Sequence, residues 1–436
     1  MPQPSRDKVA AQIFIATHNQ KGKMRYLGAT APWPKVHSPR VGHTSIRQER
    51  PPADRTRGMT FTAAHFAAVR GHDCLSEAEA LRAALARAFG DAAPLPGRVL
   101  PQVLFDMARL NKVGLFLAPR PADLPPAWAA IAPQIESMRL HTAARNGHSL
   151  RVSGEVARLM QAAGIAHVQF KGPLQQIALY GGPCWKPTGD VDLLVAEADL
   201  PRAGAVLREA GFVPQEAELA DWWTKHLGEQ HYRRPTGGPV VDLHHRLQQP
   251  GAPRPRRTAD FLARATLMPH EGGTVPMISG PDRCLVAAIG VVKAFVAHEP
   301  CAGHLCDLRA SLDHLSAAEA AMLPGIAAEQ GLSETLALAS WGVDALFDGL
   351  APRRHATGAH PLANLSPAIL RRMLIAPWDP ALDWPRRSRI LWALSGRQPA
   401  RYLREELAAK SSEIHRIWLK GLIRSGLLSR REGTAA

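Results

Sequence analysis

The sequence predicts an α+β protein, a small mixed β-sheet core flanked by N- and C-terminal helical segments. Two stretches place the sheet. The apolar segment Ile165 to Phe170 runs into a Gly turn and a short helical pattern opened by Pro173, and the chain returns through a Gly/Pro loop into Asp190-Val191-Asp192. Farther on, Gln230 to Arg234 and Val240 to His245 read as strands of a hairpin joined by Pro235-Thr236-Gly237-Gly238-Pro239. On both sides of this region the apolar spacing is helical.

Taken in order, residues 1–58 are rich in Pro, Arg, Lys and Gln with little periodicity and read as a disordered basic extension. Met59 stands where helical patterning begins and is an alternative start. Residues 59–150 form a helical cap. In it Ser76-Glu77-Ala78-Glu79 is a capping-box pattern, Leu81, Leu85 and Phe89 make one helical face stopped by Gly90, and Pro94 to Pro101 is a linker. Further helical segments run near Val103 to Asn111 and Ala127 to Asn146. The core spans 151–248: a helix from Gly154 to Ala163 ended by Gly164, the Ile165 strand, the Pro173 helix, the Asp190 strand, a helix from Leu200 to Ala210 ended by Gly211, extended Phe212-Val213-Pro214, and the hairpin. Residues 249–383 open with an Arg/Pro linker and continue as helices over Pro281 to Ala297, Ser316 to Gln330 and Ser333 to Leu346. The end, 384–436, is a basic amphipathic helical tail over Ser388 to Leu428, with Trp392, Tyr402, Ile417, Trp418, Leu422 and Ile423 among its Arg and Lys. It either packs on its own domain or makes a peripheral contact with a partner or anionic lipid.

Bulk properties narrow the function classes. A chain of 436 residues with 46% hydrophobic content has enough apolar material for a sizeable core. Five cysteines without regular spacing and no signal pattern point to a reducing cytoplasm. The longest apolar run, Cys284 to Ala297, is broken by Lys293 and too short for a transmembrane segment. The net charge of +15 invites a nucleic-acid reading. Its location argues otherwise: residues 1–58 hold 11 Lys/Arg against 3 Asp/Glu and residues 384–436 hold 12 against 4, which leaves the middle of the chain near neutral. A core that tracks nucleic acid would carry its own basic groove.

Chemistry concentrates on three acids. Alternation along a strand turns Asp190 and Asp192 to one face and Val191 and Leu193 to the other. Two carboxylates so close repel by about 4 kcal/mol at an effective dielectric near 20, and a divalent cation reverses the sign. Asp242, between Val241 and Leu243, is a third acid on a strand and is costly to bury unless paired or metal-bound. Three carboxylates on neighbouring strands suit two-metal phosphoryl transfer. Lys171, before Gly172, is placed to meet phosphates as a point charge; Lys186 is a weaker candidate. Either His244 or His245, following the third acid, is placed to share its face. His298, Cys301, His304 and Cys306 are zinc-type residues, but their spacing matches no finger or ribbon.

Lys171-Gly172, then Lys186 through Thr188-Gly189-Asp190-Val191-Asp192 to Val195, then Val241-Asp242-Leu243-His244 together resemble the bacterial uncharacterised nucleotidyltransferase family of the DNA polymerase β-like superfamily. The resemblance covers roughly Arg151 to Leu308, with Asp307-Leu308 closing a similar helical segment. Pro173 stands where the superfamily usually has Ser, and Lys186 where the family often has Arg. The resemblance implies transfer of a nucleotidyl group from an NTP to an acceptor hydroxyl or phosphate with release of pyrophosphate. It further implies Asp190, Asp192 and Asp242 as catalytic metal ligands for Mg²⁺ or Mn²⁺, and Lys171, Gly172, Lys186 and Thr188 as nucleotide contacts. The acceptor expected from the charge distribution is a small molecule, protein or peptide before a nucleic acid. The alternative is a non-catalytic nucleotide-binding or protein-interaction module that keeps the fold.

Overall fold

The computed structural model of the chain describes residues 13–17, 25–29, 75–247, 250–271, 273–347, 365–379 and 381–425. It divides into two units, residues 1–64 and 65–436. In the first, strands β1 (Ile13–Thr17) and β2 (Arg25–Ala29) pair antiparallel, with Ile13 opposite Ala29. The rest of the extension expected to be disordered, and Met59, lie outside the described residues.

The second unit is built on a seven-stranded mixed sheet with helices on both faces, the α+β architecture that the sequence predicts. Two helices lead in, α1 (Leu75–Ala88) and α2 (Pro101–Leu110), the latter with Pro in its first turn, where its missing N–H costs no hydrogen bond. Separate helices were expected over Ala127 to Asn146 and from Gly154; instead α3 (Ala132–Ala162) runs through both. Gly147 and Gly154 each cost about 1 kcal/mol relative to Ala, too little to stop a helix packed along its length. Gly154 has a packing reason: a Cβ there would lie 2.9 Å from the ring of His270, whose Nε2–H donates to the Leu150 carbonyl.

The chain then enters β3 (His167–Gln169), turns at Gly172 into α4 (Pro173–Tyr180), and returns as β4 (Asp190–Val195). Helix α5 (Leu200–Glu209) leads to the short β5 (Val213–Pro214), and the hairpin follows as β6 (Glu229–Arg233) and β7 (Val240–His244). After α6 (Ala259–Ala263) comes a second hairpin, β8 (Thr266–His270) and β9 (Gly273–Met277), not anticipated from sequence. Pro269 and Pro276 within it obscure the strand pattern and are tolerated on an outlying ribbon. The strand order is β5-β6-β7-β4-β3-β9-β8, so the sheet takes two strands from beyond residue 248.

Val191, Leu193, Val241 and Leu243 bury one sheet face against Val152, Val156 and Met160 of α3 and Ala203 and Leu207 of α5. Toward the other face Val168, Phe170 and Leu194 join the larger core of α1, α2, α7 (Gly280–Val296), α8 (Ala302–Asp313), α9 (Ala317–Glu329) and α10 (Ser333–Leu346). Helix α7 is capped by Ser279 and α9 by a complete Ser316/Glu319 capping box. Helix α11 (Pro367–Ile375) completes this core. The helical tail expected over Ser388 to Leu428 is, within the described residues, two helices, α12 (Arg387–Leu394) and α13 (Pro399–Arg424), parted by Gly396 at φ +64° and Arg397 at φ +59° and restarted by Pro399. Among the described residues no helix is long and apolar enough to cross a membrane.

Candidate active site

Strands β4 and β7 run parallel, and their register sets Asp192 beside Asp242, with Asp190 beside Val240. The intervening Val191, Leu193, Val241 and Leu243 are buried on the opposite face, and this fixes the register: a one-residue slip would drive the acids into the apolar core. His244, two residues after Asp242, shares its face. One ligand atom from each of Asp192, Asp242 and His244 lies within 4.8 Å of the others, the one such metal-capable group among the described residues. The His298–Cys306 stretch forms no such group; Cys301 and Cys306 are buried in the helical core. His245 points away and donates from Nε2 to the Thr224 carbonyl, 3.3 Å.

Each acid has a different electrostatic setting. Burial works against the Asp192 carboxylate, but Lys171 and His244 outweigh it and hold its pKa well below the usual range. Lys171 Nζ donates to Asp192 Oδ1 at 3.2 Å, its ammonium lies 4.9 Å over the Phe170 ring, and its side chain is 50% exposed. Asp190 lies outside the tight group. Burial first, and then the charges of Asp192 and Asp242, push its pKa up to about 6. Asp242 accepts a 2.7 Å hydrogen bond from His231 Nδ1; burial lowers the His231 pKa, but Asp242 and Glu229 raise it on balance. The Glu229 carboxylate stands between two imidazoles, 3.3 Å from His244 Nδ1 and 3.6 Å from His231 Nε2. The other His244 nitrogen, Nε2, is buried 3.3 Å from Asp192 Oδ1 without a well-formed hydrogen bond. An orphaned imidazole nitrogen between two carboxylates fits a divalent cation.

The raised Asp190 value gives a pH prediction. Its folded value of about 6 exceeds the ordinary aspartate value of 3.8, so between these the native state keeps a proton that the unfolded chain has lost. Stability from this group therefore falls as pH rises through that window. Metal-free Asp190→Asn should be more stable than wild type at pH 7 by about 1–3 kcal/mol, the gap closing below about pH 4. Denaturant melts across pH test this; a gap that does not change with pH would refute it.

The nucleotide contacts implied by the resemblance are placed unequally. Gly172, at φ +85°, makes the turn into α4 that a side chain would strain. Lys186 is largely buried, ion-paired with Asp307, and donates to the Gly303 carbonyl at 3.3 Å; Tyr180 donates to the same Asp307 carboxylate at 2.6 Å. Thr188 donates from its amide and its hydroxyl to Asn146 Oδ1, both 2.9 Å. Asn146 Nδ2 and Gln176 Nε2 both donate to the Lys186 carbonyl at 2.8 Å, and Gln176 Oε1 accepts from the amides of Trp185 and Lys186. Two buried amide side chains thus clamp the loop that feeds β4.

Sequence reasoning missed His231 and Glu229, whose strand flanks the third acid, and two lysines from the helical parts. Lys112, at φ +59° after α2, and Lys293 on α7 both have lowered pKa values, by desolvation first and then by neighbouring lysines, Lys171 included. Only the tertiary fold brings these charges into one field with the carboxylates.

A family model described as "Uncharacterised nucleotidyltransferase" matches residues 98–348, more than half of the chain. No curated protein matches. Among solved structures, that of an antigenic nucleotidyltransferase-like protein from Paracoccidioides brasiliensis aligns at 16% identity over 45% of this chain and 93% of its own, with a TM-score of 0.28. A likeness that shallow carries no argument about the site.

Proposed function

From the premise that the chain belongs to the uncharacterised nucleotidyltransferase family, we propose that it moves a nucleotidyl group from an NTP to an acceptor hydroxyl or phosphate, with release of pyrophosphate, on a DNA polymerase β-like core. The observation that carries this reading is the parallel register that sets Asp192 beside Asp242 with the orphaned Nε2 of His244 at the same spot.

Asp192, Asp242 and His244 would hold one divalent cation, and Asp190 with Asp192 a second. Bound cations would supply charge neutralisation on the phosphates and a lowered pKa for the attacking oxygen. The chain's own residues do the rest. Lys171 meets the phosphates as a point charge, and the first turn of α4, whose leading amides lack intrahelical acceptors, faces the same charge. Pro173 contributes no hydroxyl there, so Lys171 carries more of the contact. His231 and Glu229 orient Asp242 and His244. Lys112 and Lys293 add positive potential toward the polyphosphate. The near-neutral middle of the chain favours a small molecule, protein or peptide as acceptor.

An imidazole ligand discriminates between metals, since Mg²⁺ prefers oxygen donors while Mn²⁺ accepts nitrogen more readily. NTP binding is therefore expected with either ion and to be tighter with Mn²⁺, and His244→Ala should remove that preference. A nucleotide-binding panel with each ion and with chelator tests this. NTP binding that ignores chelator would contradict it.

A further inference from the structure

A row of rings runs from the C-terminal helix α13 to Asp242. Leu419 and Ile423 of α13 pack with Leu219, Trp222 and Leu227. Trp222 Nε1 donates to the Ser412 carbonyl at 2.9 Å, and His226 Nε2 lies 3.0 Å from His415 Nδ1. Trp222 and Trp223 then meet edge to face, with ring centroids 5.0 Å apart at 79°. Trp223 opens the π-helical turn Trp223–Leu227 and stands edge to face with His231, with centroids 4.6 Å apart at 89°. The row ends where His231 Nδ1 donates to Asp242 Oδ1 at 2.7 Å.

The imidazole needs this support. One hydrogen bond aims His231 Nδ1 but leaves the ring free to rock about that line. Its Nε2 finds no hydrogen-bond partner among the described residues, and Glu229 Oε1 is 3.6 Å away. The Trp223 ring blocks the rocking, and Trp223 is fixed in turn by its own Nε1, which donates to Glu216 Oε2 at 3.0 Å. Packing, not a second hydrogen bond, sets the plane of His231.

We propose that Trp223 is a positioning residue for Asp242, acting through His231, and that docked α13 is the brace behind it. The effect on turnover rests on the transferase reading above, whereas the positioning itself is a property of the metal-free fold. A ligating carboxylate depends on the groups that orient it, by about 10–100-fold in activity or metal affinity. The loss should fall on the step that Asp242 serves, so turnover drops while NTP binding through Asp190 and Asp192 stays.

The test reads the full chain in two ways. In metal-free protein the His231 Nδ1 proton, held by a carboxylate, should give a downfield NMR signal, assigned by its loss in His231→Gln. Trp223→Leu should abolish that signal and lower kcat about tenfold or more, with KM for NTP within about twofold. Trp223→Phe keeps an aromatic edge; it should preserve the signal and hold kcat within about threefold of wild type. Leu419→Glu, on the docked face of α13, should mimic Trp223→Leu, whereas Ile417→Glu, at a position 63% exposed, should leave both readouts unchanged. A Trp223→Leu protein that keeps signal and kcat, an equal loss in Trp223→Phe, or Ile417→Glu matching Leu419→Glu would overturn the proposal. A wild type that transfers no nucleotide, yet loses the signal in Trp223→Leu and keeps it in Trp223→Phe, would overturn the transferase reading and leave the positioning standing.

Discussion

Asp192→Asn is expected to abolish metal-dependent NTP binding and nucleotidyl transfer together, with turnover reduced at least 10³-fold. Asp192 is the hub of the site. Lys171 reaches it from the end of β3, His244 stands 3.3 Å away, and Asp242 is its register partner on β7. Asparagine keeps the shape and removes the charge that any cation there must meet. Its carboxylate is also stabilised in the fold, so the contribution is present above the unfolded pKa and is lost as acid titrates the folded group. The melting curve must therefore be measured beside activity, without metal. Full activity in a folded Asp192→Asn protein would remove the site from consideration. Under the proposed mechanism Asp242→Asn should behave differently: NTP binding stays within about tenfold, some 1.4 kcal/mol, because Asp190 and Asp192 would still hold a cation for the NTP, while turnover falls by orders of magnitude, because the cation that Asp242 would hold acts chiefly on the attacking oxygen.

Lys186→Met should damage the fold before it damages the chemistry. The family resemblance implies a nucleotide contact here, yet the ammonium is ion-paired with Asp307 in a largely buried setting, and Tyr180 and Gly303 complete the arrangement. Removing the cation leaves a buried carboxylate uncompensated, a loss of about 3–5 kcal/mol. We therefore read Lys186 as a clamp between the β4 loop and the first two turns of α8. Chemical denaturation should show the loss, and nucleotide affinity of the folded fraction should match wild type. A variant of normal stability with weakened NTP binding would restore the nucleotide-contact reading.

What the sequence made legible follows from how locally each feature is encoded. The α+β class, the strand after Thr188-Gly189 and the hairpin around Asp242 were readable, since alternation, Gly turns and Pro starts are written within a few residues. The tightness of the Asp192–Asp242 pair needed the parallel register of two strands about fifty residues apart. The β8–β9 hairpin was hidden by its prolines, and the unbroken α3 by glycines that packing overrides. At the site, His231 and Glu229 looked like ordinary polar positions of an edge-proximal strand. Their meaning appears only when β6 lies beside β7, with His231 opposite Asp242 and Glu229 opposite His244. Lys112, in the turn after α2, and Lys293, on α7, lie in parts of the chain that the motifs do not reach.

The central claim is that this site transfers a nucleotidyl group rather than only binding a nucleotide. The most direct measurement follows separate α- and γ-phosphate labels of the NTP, with Mn²⁺ and a cell extract as acceptor source, for wild type and Asp242→Asn. Wild type is expected to place the α label on an acceptor and to leave the γ label in pyrophosphate in equal amount, and Asp242→Asn to do neither. Retention of both labels in intact NTP that is bound in a metal-dependent way, or appearance of the γ label on the acceptor, would contradict it.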